Sequence, residues 1–142
     1  MEECRSAGAE AVYYTGDATD EKTAEACVKL AVDSFGQIDI LINNAGIGRY
    51  TPLLESTLED YDLVMNTNVR SAFAFTKYTV PEMLKRSSGQ IIMVSSAAGV
   101  YGYPNETIYS ASKFRFAEWR RRWIKSSEAG ASNHARSVPE QA

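Results

Sequence analysis

Histidine is almost missing from this sequence: His134 stands alone. One imidazole has no second histidine to share a metal ion with, so no metal site is expected. Cysteine is scarce too. Cys4 and Cys27 are far apart, form no metal-like spacing and are expected to be reduced thiols of a cytoplasmic protein. No apolar run approaches the ~20 residues that span a bilayer. The opening Met1-Glu2-Glu3-Cys4-Arg5 lacks the basic start and apolar stretch of a secretory signal. Charge of one sign is not in excess. A net charge of −3 gives no global attraction to nucleic acid or to an acidic membrane surface, so neither is expected as a partner. What remains is ordinary for a globular chain: 142 residues, 44% hydrophobic and 23% charged, enough for one domain with a core.

Apolar periodicity then orders the chain. Residues up to about Ala7 read as the end of a helix stopped by Gly8. Glu10 to Thr15, with Val12, Tyr13 and Tyr14, reads as a strand. Gly16 to Asp20 is a turn in which Thr19 or Asp20 caps a helix carrying Ala24, Cys27, Val28, Ala31, Val32 and Phe35. Gly36 ends it. Ile38 to Ile42 is a short, nearly continuous apolar strand, the pattern of a parallel strand buried on both faces. A loop with Gly48 and Pro52 leads to Ser56 or Thr57, which opens a helix with Glu59. That helix runs to Ser87-Ser88-Gly89, with a kink or break expected at Pro81. Gln90 to Ser95 is the next buried strand, and about Ile108 to Lys125 is helical. Helices alternating with apolar strands give a parallel sheet covered on both sides, with ligands beyond the carboxyl ends of the strands.

The chemistry sits at those ends. Tyr109 and Lys113 are four residues apart, so on a helix the phenol and the ammonium share one face. A fixed positive charge beside a phenol favours the phenolate. A phenol tuned in this way can exchange a proton with an alcohol or ketone oxygen. A serine at the end of Ile91 to Ser95 could hold the same oxygen, with Ser96 and Ser95 as alternatives. Asn43-Asn44-Ala45-Gly46 follows the first apolar strand, and Asn68 lies inside the helix after it. An asparagine there can bond the backbone and bend the helix. Tyr101, Tyr103 and Pro104, between the serine and the tyrosine, could line a substrate pocket or simply pack. Trp119 to Lys125 is a basic run with two tryptophans, read as a solvated helix end rather than a nucleic-acid or membrane patch.

In order and spacing these segments resemble the short-chain dehydrogenase/reductase family, over about Ala9 to Ala117. The resemblance implies an α/β fold, a partial Rossmann-like doubly wound parallel sheet with flanking helices and three strands present. It implies a catalytic tetrad of Asn68, Ser96, Tyr109 and Lys113, with Ser96 chosen over Ser95 by its distance from the tyrosine. Asn68 would hold a water in a proton relay, and Lys113 would also bond the nicotinamide ribose. Asp17 and Ala18 would meet the adenine ring, and Asn44, Ala45 and Gly46 the adenosine ribose. The implied activity is hydride transfer between NAD or NADP and a small-molecule carbonyl or alcohol, with the ketoacyl-reductase-like group nearest. Helices 56–86 and 108–125 would carry self-association.

The Thr-Gly-x-x-x-Gly-x-Gly turn with which such proteins hold pyrophosphate at a helix N-terminus is not among these residues. The strand and Pro-Gly loop that normally follow the last helix are not found either. Residues 1–125 are therefore expected to be a partial domain, truncated at both ends, and 126–142 a disordered tail. In a complete sheet, strand 10–15 would be separated from strand 38–43 by two others. Either it moves inward to pair with Ile38 to Asn43, which is the expectation favoured, or another chain fills the gap, or the fragment is poorly stable. A catalytically inactive fragment or interaction module stands as the alternative function.

Overall fold

The structure, a computed structural model, describes residues 2–114. The remainder of the helix expected over 108–125, the Trp119 to Lys125 run and the tail 126–142 lie outside the described residues.

Helix α1 (Glu2–Ser6) ends at Gly8, whose φ of 82° is left-handed. Helix α2 (Glu21–Phe35) starts where the Asp20 side chain accepts the Lys22 N–H at 3.0 Å, so Asp20 rather than Thr19 is the cap. It ends where Gly36 N–H donates to the Val32 carbonyl. Strand β1 (Ile40–Asn43) pairs in parallel with β2 (Gln90–Met93), Ile40 opposite Gln90 and Asn43 opposite Met93. Between them run α3 (Leu58–Met65), a π-helical turn Asn66–Arg70 and α4 (Ser71–Leu84). A last helix, α5, covers residues 107–114 at the end of the described chain.

The layers follow from which side chains are apolar. Thr23, Ala24 and Val28 of α2 are buried where that helix packs along α4, whose Ala72, Thr76, Thr79 and Met83 are buried in turn. Helix α4 also lies against β1. Polar ties join α2 to α4, and the turn after α4 to the entry of β1. Glu21 accepts from Lys77 Nζ at 2.6 Å and from the Tyr78 hydroxyl at 2.9 Å, and Arg86 donates to the Ile38 carbonyl and the Asp39 carboxylate, each at 3.0 Å.

Three expectations are corrected. Among the described residues there are two paired strands rather than three: 10–15 joins no ladder, and the inward shift does not occur. Val12, Tyr13 and Tyr14 stay exposed, because an apolar segment becomes a strand only when a neighbour takes its backbone groups. Second, β1 and β2 are not covered on both faces by the described residues: Ile40, Ile42 and Ile92 are exposed. Third, α4 continues through Pro81 to Leu84, and the helix irregularity falls at Asn66–Arg70 instead.

Candidate active site

The site forms where β1 and β2 end. Leaving β1, Asn43 is buried; its Nδ2 donates to Thr76 Oγ1 at 3.2 Å and lies 3.3 Å from Met93 Sδ. This locks the strand end to α4 and to β2. Beyond it the chain turns through Asn44, Ala45 and Gly46 to Ile47.

Asn68 holds that turn. It is completely buried. Its Oδ1 accepts the Ile47 N–H at 2.8 Å, and its Nδ2 donates to the Ile47 carbonyl at 2.9 Å and to Ser112 Oγ at 2.8 Å. The π turn is the reason it can. One extra residue per turn displaces Asn68 from the regular helical face, a device common at functional sites.

Ser112 carries the connection into α5. It is fully buried, and its hydroxyl donates to the Tyr109 carbonyl at 2.7 Å. Lys113 follows, 4% exposed, with Nζ donating to the Val94 carbonyl at 3.1 Å just past β2. Burial pulls the Lys113 ammonium below its usual value, since the charged form is the one that loses water. Its Nζ lies 5.8 Å from the centre of the Tyr109 ring, and that ring also meets Tyr50 edge-on at 6.0 Å. A β-carbon added at Gly46 would stand 3.1 Å from Lys113 Nζ and 3.2 Å from Asn68 Oδ1, so the backbone comes this close because the position is glycine.

Asn68, Tyr109, Lys113 and Gly46 are therefore brought together. Ser96 lies on the same stretch after β2; its hydroxyl accepts the Ala98 N–H at 3.2 Å and caps the short turn Ala97–Gly99. Ser95 acts elsewhere, through a hydroxyl that donates to the Lys113 carbonyl at 3.1 Å and ties α5 to the end of β2. Asp17 is exposed and accepts the Thr19 N–H at 2.8 Å, a bond that holds its carboxyl below the ordinary value. Ala18, Asn44 and Ala45 line one cleft of about 340 Å³ together with β1, α2 and α4. Ser112 is an anchor that the sequence pattern did not single out, and Asn43, there only the start of the Asn43 to Gly46 motif, is another. Ser112 carried a signal, standing three residues after Tyr109 on the same helical turn.

The arrangement fits a dinucleotide in part. Three of the expected nucleoside contacts, Ala18, Asn44 and Ala45, line the cleft, and the Gly46 backbone next in sequence comes close to the Lys113 ammonium.

A family model described as short chain dehydrogenase matches residues 1–127. An uncharacterized oxidoreductase of Thermotoga maritima is 44% identical over 113 residues, covering 80% of this chain and 44% of that protein. A 3-oxoacyl-(acyl-carrier-protein) reductase of the same organism is 39% identical over 112 residues, covering 79% of this chain and 46% of that protein. Among solved structures, a metagenomic short-chain oxidoreductase in complex with NADP superposes with a TM-score of 0.82 at 25% identity, covering 90% of this chain and 58% of that one. The chain thus spans about half the length of the curated relatives it matches. A match running through every element described above makes this chain a member of the short-chain dehydrogenase family.

Proposed function

We propose that Tyr109 exchanges a proton with the oxygen of a carbonyl/hydroxyl pair in an oxidoreductase reaction that uses NAD or NADP. The observation that carries this reading is the chain of bonds from Ile47 through Asn68 and Ser112 to the Tyr109 carbonyl. It fixes the phenol-bearing turn to the turn after β1, so that two segments distant in sequence meet at one sheet end.

A nicotinamide dinucleotide, when bound, supplies or accepts the hydride. Asp17, Ala18, Asn44, Ala45 and Gly46 are the residues proposed to hold its adenosine half, and Lys113 the ribose beside the nicotinamide. Tyr109 donates the phenolic proton as the substrate oxygen gains charge. The Lys113 ammonium, 5.8 Å from the ring centre, stabilises the negative charge left on the phenol. Its bond to the Val94 carbonyl keeps it in place. Ser96 holds the substrate oxygen: its cap bond uses a lone pair and leaves the hydroxyl proton to donate. Asn68 acts mainly as a brace. Both amide protons are committed, so a relay water would have one remaining Oδ1 lone pair to bond. The 3-oxoacyl reductase among the relatives makes a ketoacyl-like carbonyl the first substrate to try. Cys4 and Cys27 are free thiols, which suits the cytoplasm. Self-association through the helices of 56–86 and 108–125 belongs to the same reading, with no role in binding nucleic acid.

A second reading, an inactive fragment or interaction module, is favoured by one observation. Ile40 and Ile42 are exposed, and the cleft beside β1 is apolar along most of its length. Titrating NADH and NADPH against the 142-residue chain, followed by nucleotide fluorescence, separates the two. Micromolar binding of either supports the oxidoreductase. Absence of saturation at millimolar nucleotide supports the module.

A further inference from the structure

The loop after Gly46 brings a second aromatic ring to Tyr109, and its anchoring is unusually complete for an exposed loop. Ile47 is clamped through both its N–H and its carbonyl by Asn68. Two residues on, Arg49 Nε lies 3.4 Å from Asp60 Oδ1. Asp60 is itself held in the first turn of α3, where its carboxylate bonds Thr57. Between these anchors Gly48 lies beneath the ring of Tyr50: a β-carbon there would fall 2.6 Å from the Tyr50 hydroxyl and 2.7 Å from its Cζ. The ring therefore lies back over bare backbone. From that seat Tyr50 meets Tyr109 at 6.0 Å between centroids and 62° between planes, the edge-to-face arrangement aromatic pairs favour. Yet Tyr50 is 64% exposed. An aromatic ring this well seated, touching the proposed proton donor and still open to solvent, is a surface on which a substrate can lie.

We propose that Tyr50 is a positioning residue that orients the Tyr109 ring, and that its open face selects carbonyl substrates carrying a flat apolar body next to the reacting oxygen. Selection among substrates rests on Tyr109 being the proton donor; the ring contact does not. A planar apolar group stacks on the exposed tyrosine face, whereas a flexible alkyl chain loses more conformational freedom for a smaller contact, so the ring favours a flat ketone over the ketoacyl-like carbonyl that the relatives suggest. Tyr109, held by its contact with Tyr50 and flanked by Lys113, then meets the oxygen of the stacked ligand.

Fluorine NMR of the full 142-residue chain, with fluorotyrosine incorporated and the Tyr109 and Tyr50 signals assigned by Tyr109→Phe and Tyr50→Phe, tests this without cofactor or turnover. Tyr50→Leu removes the ring and is expected to shift the Tyr109 signal. Tyr50→Phe keeps the ring and is expected to leave that signal in place. Gly48→Ala, which pushes the ring aside without removing it, is expected to shift the Tyr109 signal as Tyr50→Leu does. Acetophenone added to the unmodified chain is expected to move the Tyr50 signal, and an aliphatic ketone of similar size to bind about fivefold more weakly by the same signal. A Tyr109 signal indifferent to Tyr50→Leu overturns the positioning role. Equal binding of the two ketones, or no effect of either, overturns the selection. If Tyr109→Phe leaves carbonyl reduction intact while the signals behave as expected, the proton-donor reading fails and the ring contact stands.

Discussion

Asn68 has three hydrogen bonds and no exposure, so its removal has a definite cost. Asn68→Ala leaves the half-buried Ile47 N–H and carbonyl without their partner, a loss of roughly 1–2 kcal/mol. Urea unfolding is expected to show that loss, and an unchanged midpoint would mean that the clamp on Ile47 contributes little. Lys113 makes a prediction in pH. Burial lowers its value in the folded chain below the ordinary 10.5, so between those two values the unfolded chain binds the extra proton. Stability arising from this group therefore rises with pH through that window, and the penalty for burying the charge is fully present below it. Unfolding measured across the window is expected to show a gap between Lys113→Met and the unmodified chain that moves in favour of the latter as pH rises. A pH-independent gap would contradict the burial effect. At this scale the sequence was informative where a side chain has one chemistry: the Tyr109–Lys113 spacing places both on one helical turn. It allowed Asn68 a bond to the backbone, but not its partner, because that partner is Ile47, 21 residues away.

Among the elements, α3 is defined by its entry. Thr57 accepts the Asp60 N–H at 3.1 Å while the Asp60 carboxylate accepts from the Thr57 backbone, a closed capping box. Asp60 thus does what was expected of Glu59. Thr57→Ala is expected to cost about 1 kcal/mol in urea unfolding. Because Asp60 also faces Arg49, the substitution should loosen the loop bearing Tyr50 as well. Helix caps and strand positions were legible because they depend on local residue type: Asp20, Gly36 and the two isoleucine-rich runs. The π turn at Asn66–Arg70 was legible only as a bend that Asn68 could cause; its form follows from Ile47 and Ser112 claiming the Asn68 side chain. Pro81 misled for a related reason. A proline removes one backbone donor, and the packing of Thr79 and Met83 around it holds α4 together across that gap.

For the molecule as a whole, the parallel order of β1 and β2 and the helices against them follow from alternating patterns, while the fate of 10–15 depends on residues far away in any sheet. Among the described residues β1 has no strand neighbour besides β2, and its Ile40 and Ile42 are exposed. The 142-residue chain is expected to associate as its concentration rises, and Ile42→Lys to reduce that association in sedimentation runs without lowering the unfolding midpoint. The central claim concerns the other end of the strands, where one phenol is held beside one buried ammonium. Carbonyl reduction with NADPH, compared between the unmodified chain and Tyr109→Phe at equal folded concentration, tests it most directly. The account predicts a loss of at least about a hundredfold, the usual contribution of a general acid; turnover undiminished in the phenylalanine variant would contradict it.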